Sequence, residues 1–174
     1  VCSTGSFWVA GSIIPSAAGK DCTGTVTIPH GITGVAIYAF APGSAASQTN
    51  RALTAVVFPA SGFVNIDQGG FRNLGLTTIT IPSSVTMVGL SAFENNPLTS
   101  VTIAGANGGA STYLSQSAFS NQDASFGLST SIALTFGSGK IDIGFNFGYS
   151  TRFATVDFGS GINSIDETAF KQNG

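Results

Sequence analysis

Charge is what this 174-residue chain has least of. Asp, Glu, Lys and Arg together make up 8% of it, and the net charge is −2. So weakly charged a surface sets up no strong field, which excludes the electrostatic grip on phosphates that binding to nucleic acid or anionic lipid needs. Histidine occurs once and cysteine twice. Two thiols with no further ligand-type residues beside them cannot complete the four positions of a structural metal site. The chain has no Asn-x-Ser/Thr sequon and so no N-glycan acceptor. No apolar run reaches membrane-spanning length, and neither a signal peptide nor a sorting tail is present. The expectation is therefore a mature or excised segment that does not insert in a membrane. A convergent nucleophile, base and acid is also missing, so no enzyme, cofactor or bound metal is expected.

What the chain has instead is repetition. The pattern Ile79-Thr80-Ile81-Pro82 is followed by Val85 and Val88 and then by Ala92-Phe93, and the next strand signal opens 22 residues after the first. The phenylalanine recurs as Phe40, Phe71, Phe93, Phe119, Phe147 and Phe170, at spacings of 31, 22, 26, 28 and 23. Units this short cannot close a core alone, so they must stack into a solenoid, here an irregular one of about six coils. In each coil two apolar residues flank one outward residue, as in Val26 and Ile28, Val56 and Phe58, Val101 and Ile103, Leu134 and Phe136, and Val156 and Phe158. That alternation places the pair inside and the intervening residue outside a strand. Proline or glycine after most of the pairs turns the chain. A second apolar pair follows, clearest as Ile32 with Val35, Val85 with Val88, and Ile162 with Ile165, and supplies the opposite wall. The extra residues of the longer coils, at 41–52 and 105–112, are mostly Gly, Ala, Ser and Asn, a composition of surface loops.

The phrase Ile-Pro-x-x-Val-Thr-x-Val-Gly-x-x-Ala-Phe is complete at 81–93 and nearly so at 28–40 and 158–170. In this it resembles the BspA-like leucine-rich repeats of bacterial and protist surface proteins, over residues 25–174. The resemblance implies a β-rich leucine-rich-repeat solenoid, secreted or carried on a cell surface, that adheres to or binds other proteins without catalysis. Three coils depart from the phrase: the second has Gly69-Gly70-Phe71, the fourth carries an insertion after Ile103, and the fifth is one residue short before Phe147.

Residues 1–24 lie outside this pattern. They read as an N-terminal cap with a strand of its own, suggested by Phe7-Trp8-Val9, and closed by a Cys2–Cys22 disulfide; the alternative is two buried thiols. The solenoid occupies 25–174 and stops in phase with its repeat. Its last coil would then present Val156, Phe158, Ile162 and Ile165 as an assembly edge, and copies joined head to tail there would form a filament or layer.

Few residues invite chemistry. His30 and the adjacent Asp166 and Glu167 fall at turns and read as solvated. Asp142 and Asp157 are candidate calcium ligands without the further oxygens such a site needs. Gly137-Ser138-Gly139-Lys140 lacks the spacing of a phosphate loop. Asn73, Asn95 and Asn121 each stand two residues after their phenylalanine and should bond from turn to turn as a ladder. The outward strand residues Thr25, Thr27, Thr78, Thr80, Ser100, Thr102, Thr135 and Thr155, interrupted by Ala55, Val57, Ala133 and Asp157, form the candidate binding face. A protein partner or further copies of the chain would be its ligand. A threonine row also raises the alternative of ice binding. Anchor-type side chains are placed by the sequence at loops and coil edges, as Tyr38, Tyr113, Tyr149, Arg51, Arg72 and Arg152.

Overall fold

The computed structural model describes residues 1–42, 49–120 and 131–173. Among them the chain forms β1 (Cys2–Thr4), β2 (Ile13–Ile14), β3 (Thr23–Thr27), β4 (Gly34–Val35), β5 (Leu53–Val57), β6 (Asn65–Ile66), β7 (Thr78–Ile81), β8 (Met87–Val88), β9 (Ser100–Ile103), β10 (Thr112–Leu114), β11 (Ile132–Phe136), β12 (Ile141–Ile143), β13 (Phe153–Asp157) and β14 (Ile162–Ile165). From β3 onward, each of the six coils contributes one odd-numbered and one even-numbered strand, and β1 and β2 come from the N-terminal segment. The even strands form a single parallel sheet, ordered β14-β12-β10-β8-β6-β4-β2. The odd strands divide into two sheets, β1-β3-β5 and β13-β11-β9-β7. The fold is the β-rich solenoid that the repeats specify.

Alternation sets which side chains go inward. Val26, Ile28, Ile79, Ile81, Val101, Ile103, Leu134 and Phe136 are buried from the odd strands. From the even sheet, Ile14, Val35, Ile66, Val88, Leu114 and Ile143 are buried and lie in one continuous register that ends at Ile165. The third wall is aromatic. Ring centroids run Phe7–Phe40 5.6 Å, Phe40–Phe71 5.0 Å, Phe71–Phe93 5.5 Å, Phe93–Phe119 5.0 Å, Phe119–Phe147 5.3 Å and Phe147–Phe170 5.8 Å. The three contacts from Phe40 to Phe119 are stacked, with planes within 13° of parallel. Aromatic pairs at such separations attract beyond their burial.

Corners are built from left-handed residues. Tyr38, Gly69, Ser91 and Ser117 have positive φ two residues before their phenylalanine, whereas Asn146 does so one residue before Phe147. The short fifth coil thus absorbs its deletion at the corner. Gly69 is required by its neighbour, because a Cβ there would come within 2.2 Å of the Tyr38 ring. That close approach accounts for the glycine in the second coil. Asn73 and Asn95 are also left-handed, and Asn95 Nδ2 donates to Asn73 Oδ1 at 2.7 Å. The asparagine ladder exists at that step; Asn121 lies outside the described residues, as do 43–48 of the 41–52 insertion and residue 174. Asn96, which drew no notice in the sequence, is fully buried and donates to the carbonyls of Phe71 (2.9 Å) and Phe93 (2.8 Å). It ties two coils together from within.

The N-terminal segment meets the solenoid in two ways. The chain there forms β1, antiparallel to β3 with Cys2 opposite Val26, and Cys2 is bonded to Cys22. Phe7-Trp8-Val9 is not a strand: Phe7 turns inward onto Phe40, while Trp8 is 60% exposed. An aromatic pair offered a better place for Phe7 than a ladder did. β2, also within 1–24, begins the seven-stranded sheet. A disulfide closing a loop of this length contributes about 3 kcal/mol in the chain-entropy account.

Truncating one member of the aromatic wall should open a cavity that the flanking coils cannot fill. Phe93→Ala is expected to cost about 3–5 kcal/mol in equilibrium unfolding, and His30→Ala, at an exposed turn, less than about 0.5 kcal/mol. An unfolding midpoint for Phe93→Ala equal to that of the wild type would contradict this packing.

Candidate functional surfaces

Two outward faces are available for recognition. On the odd strands, register aligns Thr78 with Ser100 and Ala133, and Thr80 with Thr102 and Thr135, ending at Thr155 and Asp157. Thr25 and Thr27 lie opposite Ala55 and Val57 in the other sheet. The threonine face predicted from the sequence is therefore two rows and not one. It breaks between β5 and β7, which lie in different sheets although they come within 8 Å Cα to Cα and the chain before them is joined by the Asn50–Leu74 bridge and the Gly75 N–H to Leu53 carbonyl bond (2.9 Å). Thr27, Thr78, Thr80, Thr135 and Thr155 are exposed, whereas Thr25, Ser100 and Thr102 are half-buried.

The break coincides with a change of packing in the second coil. Phe58, Phe63 and Phe71 fill positions that the third coil gives to Ile81, Val85 and Phe93. Phe58 lies 4.9 Å from Phe63 and 5.7 Å, edge-on, from Phe71. Three rings stand in that coil where the third coil has one, beside the place where the odd strands part.

Larger side chains are exposed on the even strands and just beyond their ends, and Val57 on β5 is 49% exposed. Val64 is 41% exposed, Met87 39%, Leu90 37%, Tyr113 43% and Phe145 46%. Met87 and Tyr113 are direct neighbours across β8 and β10. The Tyr113 ring lies over Gly144, where a Cβ would be 3.1 Å from the phenolic oxygen. Apart from Tyr113, these residues were not recognised in the sequence, although for Met87 a signal was present: Val85 and Val88 both point inward, which leaves Met87 to point out. Tyr113 stands on a strand, not on a loop as its surroundings suggested.

Of the arginines, two hold the scaffold together. Arg51 donates to the carbonyls of Leu74 (3.0 Å) and Asn95 (3.2 Å), and Arg72 pairs with Glu94 at 3.1 Å. Tyr38 accepts a hydrogen bond from Gln68 Nε2 at 3.2 Å. Arg152 is exposed, and Tyr149 is half-buried at a turn.

The remaining polar candidates are engaged locally. Asp142 Oδ1 accepts from Ser164 Oγ and Asn163 Nδ2, both at 2.6 Å, and these bonds hold its carboxyl below the usual range. Asp157 accepts from the Gly159 N–H at 2.9 Å. Asp166 accepts from the N–H and hydroxyl of Thr168, closing a turn beside exposed Glu167. Within 137–140, the N–H groups of Gly137, Gly139 and Lys140 donate to carbonyls of the fourth coil, so they do not converge on an anion. His30 is exposed at its turn. Among the described residues, no three His, Cys, Asp or Glu side chains gather where they could hold a metal ion, and no helix is long and apolar enough to cross a membrane. Val156 and Ile162 are half-buried, and Phe158 and Ile165 are 42% and 45% exposed, on the outermost strands of their sheets.

Stacked parallel coils, a ring-lined core and two ordered outer faces define a repeat scaffold. The chain belongs to the BspA-type leucine-rich repeat region family, whose model matches six copies over residues 12–122 and 43–174. The search of curated proteins gives no match, and neither does the search of solved structures. Membership of this family goes with protein binding or adhesion and typically without catalysis.

Proposed function

We propose that this protein is a non-enzymatic scaffold, secreted or displayed on a cell surface, that holds a protein partner against the outward face of its seven-stranded sheet. The observation that carries this reading is the exposed pair Met87 and Tyr113, neighbours across β8 and β10, with Val64, Leu90 and Phe145 just beyond the ends of β6, β8 and β12, all between 37% and 46% exposed. Methionine and aromatic side chains are enriched in interfaces, and a rigid sheet presents them at little entropic cost. A small-residue, uncharged threonine face offers no comparable anchor. The disulfide supports an oxidising compartment. The weak net charge is consistent with a protein partner and not a nucleic acid. Ice recognition has less support, because the threonine row is divided at β5 and β7 and no flat template spans the coils.

The test is a binding assay of wild-type and variant protein against isolated surface and matrix proteins. Tyr113→Ala should weaken the captured interaction at least tenfold while changing stability by less than about 1 kcal/mol. Thr80→Ser and Thr102→Ser should leave it unchanged. The reverse pattern would move the site to the threonine face.

Self-assembly is the second reading, favoured by apolar exposure at both ends of the stack: Trp8 and Val9 at one, Phe158 and Ile165 at the other. A further coil or a second copy would cover the latter edge equally well. If copies do so, Ser164→Lys with Asn173→Asp should convert filaments seen by negative-stain electron microscopy into short species. Wild-type protein that remains monomeric at high concentration would contradict assembly of this segment.

A further inference from the structure

The geometry points to a second binding site, in the split between β5 and β7, for an extended, uncharged peptide segment that adds to the sheet as a strand. The site does not depend on the seven-stranded face. Its first support is a departure in burial. The inward pair of the odd strand is buried in coils one, three, four and five, at 3% exposure or less, yet Val56 and Phe58 in the second coil are only partly buried. Coils flank them on both sides, so the opening is lateral. It forms a cleft of about 310 Å³, bounded by Val56, Phe58, Pro59, Thr78, Ile79 and Thr80 among others. That volume is at the lower end of ligand sites.

The second support is the direction of the backbone. Alternate residues of a strand send their N–H and C=O groups to opposite edges. The Val57 carbonyl accepts from Ile28 N–H at 2.9 Å, so Val57 faces β3, and Val56 and Phe58 face β7. The Ile81 carbonyl accepts from Ala104 N–H at 3.0 Å, so Ile81 faces β9, and Thr78 and Thr80 face β5. Since β5 and β7 belong to different sheets, these backbone groups look into the cleft without a ladder between them. The two strands come within 8 Å Cα to Cα, and an added strand needs about 9.5 Å, so the peptide enters by spreading β5 from β7. Pro59 and Pro82, beyond the two strands, have no N–H with which to close its mouth.

Facing edges of this kind select the occupant. A compact apolar molecule would cover Val56 and Phe58 but leave the strand edges unpaired. An extended peptide lying along β7 does both: its backbone pairs with Thr78 and Thr80, and its inward side chains cover Val56 and Phe58, as strand addition does elsewhere. The lining has no charged side chain, so a charged peptide residue facing inward would lose its hydration without a partner.

Amide hydrogen exchange on the intact protein tests this, with an acetylated and amidated heptapeptide of the chain's own residues 98–104 as probe. That sequence is uncharged, and in the fold its strand pairs with the other edge of β7. In free protein the amides of Phe58, Thr78 and Thr80 should exchange faster than those of β9, which is paired on both sides. The peptide should slow those of Thr78 and Thr80 at least tenfold. The same peptide N-methylated at alternate amides, or carrying Lys in place of its central Val, should not. Thr80→Pro, which deletes one N–H facing the cleft, should abolish the protection; should that variant not fold, the N-methylated peptide poses the same question to the wild type. Amides of Thr78 and Thr80 as slow as those of β9 without peptide would overturn the proposal. So would protection confined to the outer edge of β13, or equal binding of the N-methylated peptide.

Discussion

The stack of phenylalanine rings from Phe7 to Phe170 is the contact on which the other features of this structure depend. Neighbouring centroids along it are 5.0–5.8 Å apart, close to the spacing of paired strands, so one repeat distance satisfies ring and ladder together. Coils that differ by as many as nine residues in length still deliver a ring to the same line. Length differences are taken up elsewhere: in the 105–112 insertion, whose Ala106 bridges to Lys140, and at the left-handed corner of Asn146. A solenoid without regular repeat lengths is stable because its registration rests on one residue per coil.

The same stack explains where the molecule yields. In the third and fourth coils the rings are surrounded by Ile, Val and Leu, and the odd strands pair without interruption. In the second coil two further rings, Phe58 and Phe63, share the space, and the odd sheet parts at β5. The even sheet stays continuous through that coil. One face is thus a rigid platform with large side chains on it, and the other is divided by a cleft with backbone groups in its walls. Those two properties suit different modes of recognition, side-chain anchoring and strand addition.

Much of this was legible in the sequence because it is carried by periodicity. The inward pairs, the wall pairs Ile32 with Val35 and Val85 with Val88, the phenylalanine line and the Cys2–Cys22 bond follow from spacing and count. The family resemblance read from 81–93 holds for the chain. What could not be read depends on neighbours in space. Phe58 and Phe63 are each ordinary apolar choices, and their meeting with Phe71 beside the parting of the sheet is visible only in the fold. Asn96 looks like a turn residue until two coils present carbonyls to it. Arg51 and Arg72 look like surface anchors until Asn95, Leu74 and Glu94 arrive beside them from later coils. Val64, Leu90 and Phe145 stand just beyond strands of two and three residues, too short for alternation to announce which way a side chain points.

If the ring stack is the registering element, its members must interact as neighbours. A double-mutant cycle on Phe71→Leu and Phe93→Leu, read by equilibrium unfolding, measures that directly. The account predicts a coupling of about 0.5–1.5 kcal/mol for this stacked pair and none, within about 0.5 kcal/mol, for Phe40→Leu with Phe147→Leu. Additive losses for Phe71 and Phe93 would contradict it.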